Sequence, residues 1–242
     1  MKIGISAGHG GTDPGGSANG YIEKAHTLDI AKSCRDYLNQ NFQNVSVVMA
    51  REKDITISIN DRAALFNNAN VDVVIDIHTN AFSDTSVRGL ETIHSITGGK
   101  GEELAKFLFN YLPEKLGLPK RRVFSKKNNS GKDYYGIIRS TRMPAVIIEF
   151  DFHTNADARV ILSDPKFKQK AGQVLAEALA AFYGLPKREI KEKEPVKKDK
   201  TEIGVSFLVL VIGFLLAIQS LMGIDIQWLI DELMKLVPSL TW

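Results

Sequence analysis

Residues 71–78 read VDVVIDIH and residues 145–150 read AVIIEF. Both are short, β-branched and mostly apolar, which is how a strand reads when helices cover both sheet faces. Each also carries a residue that such a strand does not favour, His78 in the first and Glu149 in the second. A carboxylate inside an apolar strand costs several kcal/mol if it stays unpaired, on the order of what a fold can spare, so Glu149 needs a partner or a function.

Outward from these two runs, strand and helix patterns alternate. Lys2–Ser6 reads as a strand, followed by a Gly-rich loop from Gly8 to Gly20. Ile22 to Asn41 has helical spacing, with Ile22, Ala25, Leu28, Ala31 and Leu38 on one stripe. Strands are expected at Val45–Ala50, Val71–Ile77, Gly89–Ile96, Asp133–Arg139 and Ala145–Phe150, and helices at Ile59–Ala69 and Gly101–Leu116. Lys166–Tyr183 is an amphipathic helix stopped by Gly184 and Pro186. Lys120–Lys132 (KRRVFSKKNNSGK) reads as a basic, mobile loop. The alternation predicts an α/β fold with a mainly parallel sheet and helices on both faces. Ligands in such folds bind beyond the carboxyl ends of the strands.

The 242 residues are 44% apolar and 24% charged, which excludes a disordered or collagenous chain. One cysteine, Cys34, excludes an internal disulfide and any Cys-rich zinc module, and reads as a small packed residue. A net charge of +3 is too small to argue for nucleic acid, and no nucleic-acid partner is expected. Four segments are expected: a globular domain at 1–185, a charged linker at 186–202, a candidate transmembrane helix at 203–224 and an amphipathic interfacial tail at 225–242. Ile203–Ile224 has no charge in 22 residues, and a span needs roughly 20 apolar residues. A buried core helix is the plainer alternative, but the linker KREIKEKEPVKKDK separates this run from the rest. Basic residues precede the run and acidic ones follow, so the positive-inside rule keeps the globular domain in the cytoplasm. The start, MKIGISAGHGG, does not read as a secretory signal. Trp228 and Trp242 would anchor the tail in the interface, and the tail is a candidate for self-association.

Four chemical groups stand at strand exits or at a helix start: His9, Glu23, His78 and Glu149. Two histidines and a carboxylate are a recurrent catalytic zinc set with a fourth position left for water. A second, unbound carboxylate then moves the water's proton. His9, Glu23 and His78 fit as ligands and Glu149 as the acid/base. Plainer readings coexist: a loop histidine beside glycines, and a glutamate favoured by the helix N-terminus. Spacing does not choose between them.

The motifs decide more. AGHGGTDPG at 7–15, Glu23, ARE at 50–52, NDRAALFNNA at 60–69, VVIDIHTNA at 73–81, GLET at 89–92, GIIRST at 136–141 and MPAVIIEFDFHTN at 143–155 occur in one order. In them the chain from Lys2 to about Leu185 resembles the zinc N-acetylmuramoyl-L-alanine amidases of the type-3 amidase family. The resemblance implies a six-stranded, mostly parallel sheet. It implies hydrolysis of the amide between N-acetylmuramic acid and L-alanine of peptidoglycan, with one Zn2+ on His9, Glu23 and His78 and Glu149 as catalytic acid/base. Two departures stand out: Ser6-Ala7 before Gly-His, and Phe150-Asp151-Phe152 after the catalytic glutamate. Neither removes a catalytic group.

Asn80 and Glu91 lie in the same motifs and are candidates for orienting substrate or ligands. Arg139 is a candidate for binding a peptide carboxylate or the lactyl oxygen, with a structural salt bridge as the even alternative. His26 reads as exposed or as supporting the site from behind, His94 as strand packing, His153 as a substrate contact at most, and Arg62 as a brace between helix and sheet. With the enzyme in the cytoplasm and its substrate outside, the expected setting is a phage endolysin that reaches the wall after membrane disruption. Alternatives are a membrane-held bacterial autolysin or sporulation amidase, a non-catalytic wall-binding module, and a membrane lysis protein.

Overall fold

The computed structural model describes residues 1–189, 210–217, 225 and 227–234. The chain divides into two compact units, Met1–Arg188 and Glu189–Trp242. In the first, the elements run β1 (Lys2–Ala7), β2 (Ser17–Ala18), β3 (Tyr21–Ile22), α1 (Glu23–Asn41), β4 (Ser46–Met49), α2 (Ile59–Ala69), β5 (Val73–Asn80) and β6 (Leu90–Ile93). They continue as α3 (Lys100–Leu116), β7 (Lys120–Phe124), α4 (Gly136–Ser140), β8 (Ala145–Phe152), α5 (Ala156–Ser163) and α6 (Pro165–Tyr183).

Six strands form one sheet in the order β4-β1-β5-β8-β6-β7. Every neighbouring pair is parallel except β6 with β8, so the sheet is mostly parallel, as expected. Ile3, Ile5, Val73, Ile75, Val146 and Ile148 bury one face against α1, α3 and α6. Val74 and Ile147 bury the other in a smaller core with Phe66 of α2 and Ile137 and Ile138 of α4. Both faces are covered, which is why β5 and β8 read as unbroken apolar runs.

Local chemistry sets the ends of the helices. Ser58 caps α2 by accepting from the Asp61 N–H at 3.1 Å, and Asp164 caps α6 with Pro165 in the first turn. The α1–α6 crossing needs Gly172, because a Cβ there would stand 2.4 Å from the Ser33 Cβ.

Two expectations are corrected. Asp133–Arg139 is not a strand; α4 begins at Gly136 and buries Ile137 and Ile138. Residues 120–124 are not loop but the edge strand β7, pairing only with β6. Its Lys-Arg-Arg charge is typical of an edge, which solvent and repulsion keep from pairing further. In the second unit, residues 210–217 and Gln227–Met234 are helical. Among the described residues no helix is long and apolar enough to cross a membrane. The remainder of the expected 203–224 span, residues 203–209 and 218–224, lies outside the described residues, as does most of the 186–202 linker.

Candidate metal centre

β1, β5 and β8 are adjacent and parallel, so their carboxyl ends open on one edge. The chain leaves β1 through Gly8 and places His9 in the left-handed region at φ 60°. Gly8 has to be a glycine, because a Cβ there would lie 2.3 Å from the His78 ring. Gly15, at φ 69°, lets the returning loop pass His9, whose Cδ2 would be 2.5 Å from an added Cβ. Glu23 then enters from the first residue of α1, only 3% exposed.

His9 Nε2 is 3.2 Å from Glu23 Oε2, and His78 Nδ1 is 3.0 Å from Glu23 Oε1. One ligand atom from each of the three residues lies within 4.8 Å of the others. Four ligands about 2.1 Å from a tetrahedral zinc are about 3.4 Å apart, so the two imidazole–carboxylate distances suit a metal. The backbone N–H groups of Gly16 and Thr79 hold the two Glu23 oxygens at 2.8 and 3.0 Å.

Each histidine is gripped from behind. Asp13 Oδ2 is 2.8 Å from His9 Nδ1, and Asp76 Oδ2 is 3.2 Å from His78 Nε2. Those carboxylates take the rear ring protons and turn Nε2 of His9 and Nδ1 of His78 inward. Arg62 links both histidines to the frame. Its guanidinium, 5% exposed, donates to the His9 carbonyl and, at 3.0 Å, to Ser6 Oγ. Ser6 and Arg62 both act on the Asp76 carboxylate. Arg51, also buried, donates to the Ala7 and Gly8 carbonyls at 3.0 and 2.8 Å.

Burial opposes charge at His9, Glu23 and His78, and the partners outweigh it. Burial alone would raise the Glu23 carboxyl, but His78 and His9 hold it well below the usual range. Burial would lower His78, yet Asp76 and Glu23 raise it well above an ordinary imidazole. Burial would likewise lower His9, and Glu23 raises it.

Glu149 is the exception. It pairs across the sheet with His78, and burial pushes its carboxyl up to about 7 against the pull of His78. Its Oε2 is buried with no hydrogen-bond partner. A cavity of about 200 Å³ joins it to His9, His78, Asp76, Arg62, Tyr135 and the apolar Ile57, Ile59, Ile137 and Ile147. This is a carboxyl free to take and return a proton near neutral pH.

The structure brings His9, Glu23, His78 and Glu149 to one place. Neither Asn80 nor Arg139 lines the cavity of that group, and Asn80 lines a neighbouring cleft with Glu149. The Asn80 Nδ2 donates to Glu91 at 2.9 Å, and the Arg139 Nη1 donates to the Asp133 and Tyr134 carbonyls at 2.7 and 2.8 Å. Asp151 turns away to Arg88 at 2.9 Å and to the Gly89 N–H at 2.7 Å. Behind Glu23, Tyr21 is stacked between His26 and His153, with ring centroids 4.0 and 5.0 Å away. Thr79 Oγ1 bridges Tyr21 and His153 at 3.0 and 3.2 Å, so His153 packs the rear of the site. Sequence reasoning missed Asp13, Asp76 and Arg51. The signal for Asp76 was present: it is a carboxylate in an apolar strand, the same argument that singled out Glu149.

The profile of the family described as N-acetylmuramoyl-L-alanine amidase matches residues 3–181. The N-acetylmuramoyl-L-alanine amidase CwlM of Bacillus licheniformis is 34% identical over 187 residues, 77% of this chain and 70% of that protein. The endolysin of Bacillus phage SPP1 is 29% identical over 86% of this chain and 74% of its own. The catalytic domain of the amidase CwlV from Bacillus (Paenibacillus) polymyxa superposes with a TM-score of 0.69 at 25% identity, covering 76% of this chain and 98% of that one.

Proposed function

This chain belongs to the N-acetylmuramoyl-L-alanine amidase family, and from that premise we propose a one-metal hydrolysis of the muramoyl–alanine amide of peptidoglycan. His9, Glu23 and His78 would hold one zinc ion, and Glu149 would carry the proton. The observation that bears most weight is the buried, unpartnered Glu149 Oε2 beside three convergent ligand atoms.

When bound, zinc supplies a Lewis acid that polarises the carbonyl and brings the pKa of water to about 7. The protein's own groups do the remainder. Asp13 and Asp76 fix the two ring orientations. Glu149 takes a proton from the attacking water and gives it to the amine nitrogen as the carbon–nitrogen bond breaks. A carboxyl near pH 7 suits both transfers. Ile57, Ile59, Ile137 and Ile147 line an apolar wall that limits water around the reacting amide. Mass analysis of digested sacculi tests the reaction. Free stem peptides beginning with alanine, with intact glycan strands, are expected; cut glycan or cut cross-links would refute it.

For the biological setting we propose phage-driven lysis, supported by the likeness to a phage endolysin over most of both chains. A bacterial autolysin is the second reading, supported by the likeness to a bacterial amidase. Placement of the tail at a lipid bilayer rests on the uncharged run at 203–224 alone. Protection of the amidase unit from added protease in intact cells is expected for a cytoplasmic domain, and cleavage would refute that orientation.

A further inference from the structure

A second cleft, of about 390 Å³, shares Glu149 and Tyr135 with the cavity of the metal centre. It is lined by Arg122, Lys126, Phe124, Asn80 and Glu91. Its cations are held in place and keep unused donors. The Arg122 Nε donates to Glu91 Oε1 at 2.7 Å, and its guanidinium lies 4.1 Å from the centroid of the Phe124 ring. Among the described residues its two terminal nitrogens have no partner, and the side chain is 52% exposed. Lys126 Nζ stands 3.9 Å from the Tyr134 ring centroid and pairs with no carboxylate among the described residues. Glu91 also accepts from Arg121, so one buried carboxylate serves two guanidinium groups. A planar fork beside an ammonium is a receptor for a carboxylate.

The first cavity offers no such receptor. Its only guanidinium, Arg62, is taken up by Ser6 and by the carbonyls of Ile57, Ala7 and His9. The substrate is divided in the same way. Its sugar half is neutral once the lactyl carboxyl is engaged in the amide, and its free carboxylates lie in the peptide. We propose that the Arg122–Lys126 cleft is a subsite for a carboxylate on the residue after the alanine, in the leaving peptide. The two cavities share Glu149 and Tyr135 in their linings, and two extended residues reach about 7 Å, so the residue after the alanine is the first that can pass from one into the other. This inference rests on the amidase reading above.

The test uses the full-length, zinc-loaded protein and two synthetic muramoyl peptides. They differ only in whether the second residue carries a free carboxylate or its carboxamide. The free carboxylate should be preferred about tenfold in kcat/KM, chiefly through KM, as for a half-exposed charged hydrogen bond. The ratio should fall toward one in Arg122→Gln and in Lys126→Gln. Lys126 lies outside the Glu91 cluster, so it keeps the test decisive if Arg122→Gln lowers the melting temperature. Equal handling of both substrates by the unaltered protein would overturn the subsite and leave the amidase standing. An unchanged ratio in both variants, with lost binding to sacculi that carry anionic phosphate polymers, would overturn it in favour of a wall-polymer site. Release from neither substrate would remove the amidase reading and this inference together.

Discussion

Asp76→Asn changes one buried oxygen to an amide and little else in shape, so its effect isolates the carboxylate behind His78. In the structure Asp76 Oδ2 is 3.2 Å from His78 Nε2, and Asp76 is 7% exposed. Ser6 and Arg62 help keep its carboxyl ionised, and although burial would raise it, His78 lowers it. The asparagine can still accept the rear ring proton, but without charge. His78 then becomes a weaker donor through Nδ1, and the ring loses part of its orientation. Loss of such a supporting group costs about 10- to 100-fold in metal affinity, or about 1.4–2.7 kcal/mol. The depth of burial places the expectation in the upper half of that range, because solvent does not screen the lost charge. Competition of the full-length protein with a chromophoric chelator at pH 7.5, set at about neutral, reads the change directly. Zinc affinity within twofold of the unaltered protein, at an unchanged melting temperature, would refute the role given to Asp76.

Glu149→Gln should bind zinc as before and lose about two to four orders of magnitude in turnover; metal analysis beside a peptide-release assay checks both, and retained turnover would refute the proton-carrier assignment. The metal-free and metal-loaded proteins should respond to pH in opposite directions. His9 and His78 are raised above ordinary imidazole, so the stability they add without metal is fully present below about pH 6.5. It is lost as pH rises through the folded values. Zinc must displace those protons, so its stabilisation grows with pH. Melting curves of stripped and loaded protein across neutral pH test this, and parallel slopes would contradict it.

The fold was largely legible because its main elements obey one rule at a time. The apolar runs around His78 and Glu149 need cover on both faces, and they have it. The Ile59–Ala69 pattern carries its own cap in Ser58 and ends where Asn70 turns left-handed at φ 47°. Failures came where charge or shortness hid the pattern. Lys120–Phe124 is an edge strand whose cations mimic a loop. Gly136–Ser140 is too brief for helical periodicity to show, and its paired isoleucines read as a strand. At the site, His9, Glu23, His78 and Glu149 were singled out by residue type at strand exits and by motif order, and the fold brings them together. Asp13 and Asp76 were missed because their importance lies in hydrogen bonds to ring nitrogens that spacing does not reveal. For Arg139 the residue type left a substrate contact and a structural role open, and its Nη1 donates to the Asp133 and Tyr134 carbonyls.

X-ray absorption at the zinc edge of the loaded full-length protein addresses the metal centre itself. Two imidazole nitrogens and one carboxylate oxygen are predicted, with one imidazole lost in His78→Ala; a zinc shell without imidazole, or one unchanged by that substitution, would contradict the assignment of His9, Glu23 and His78.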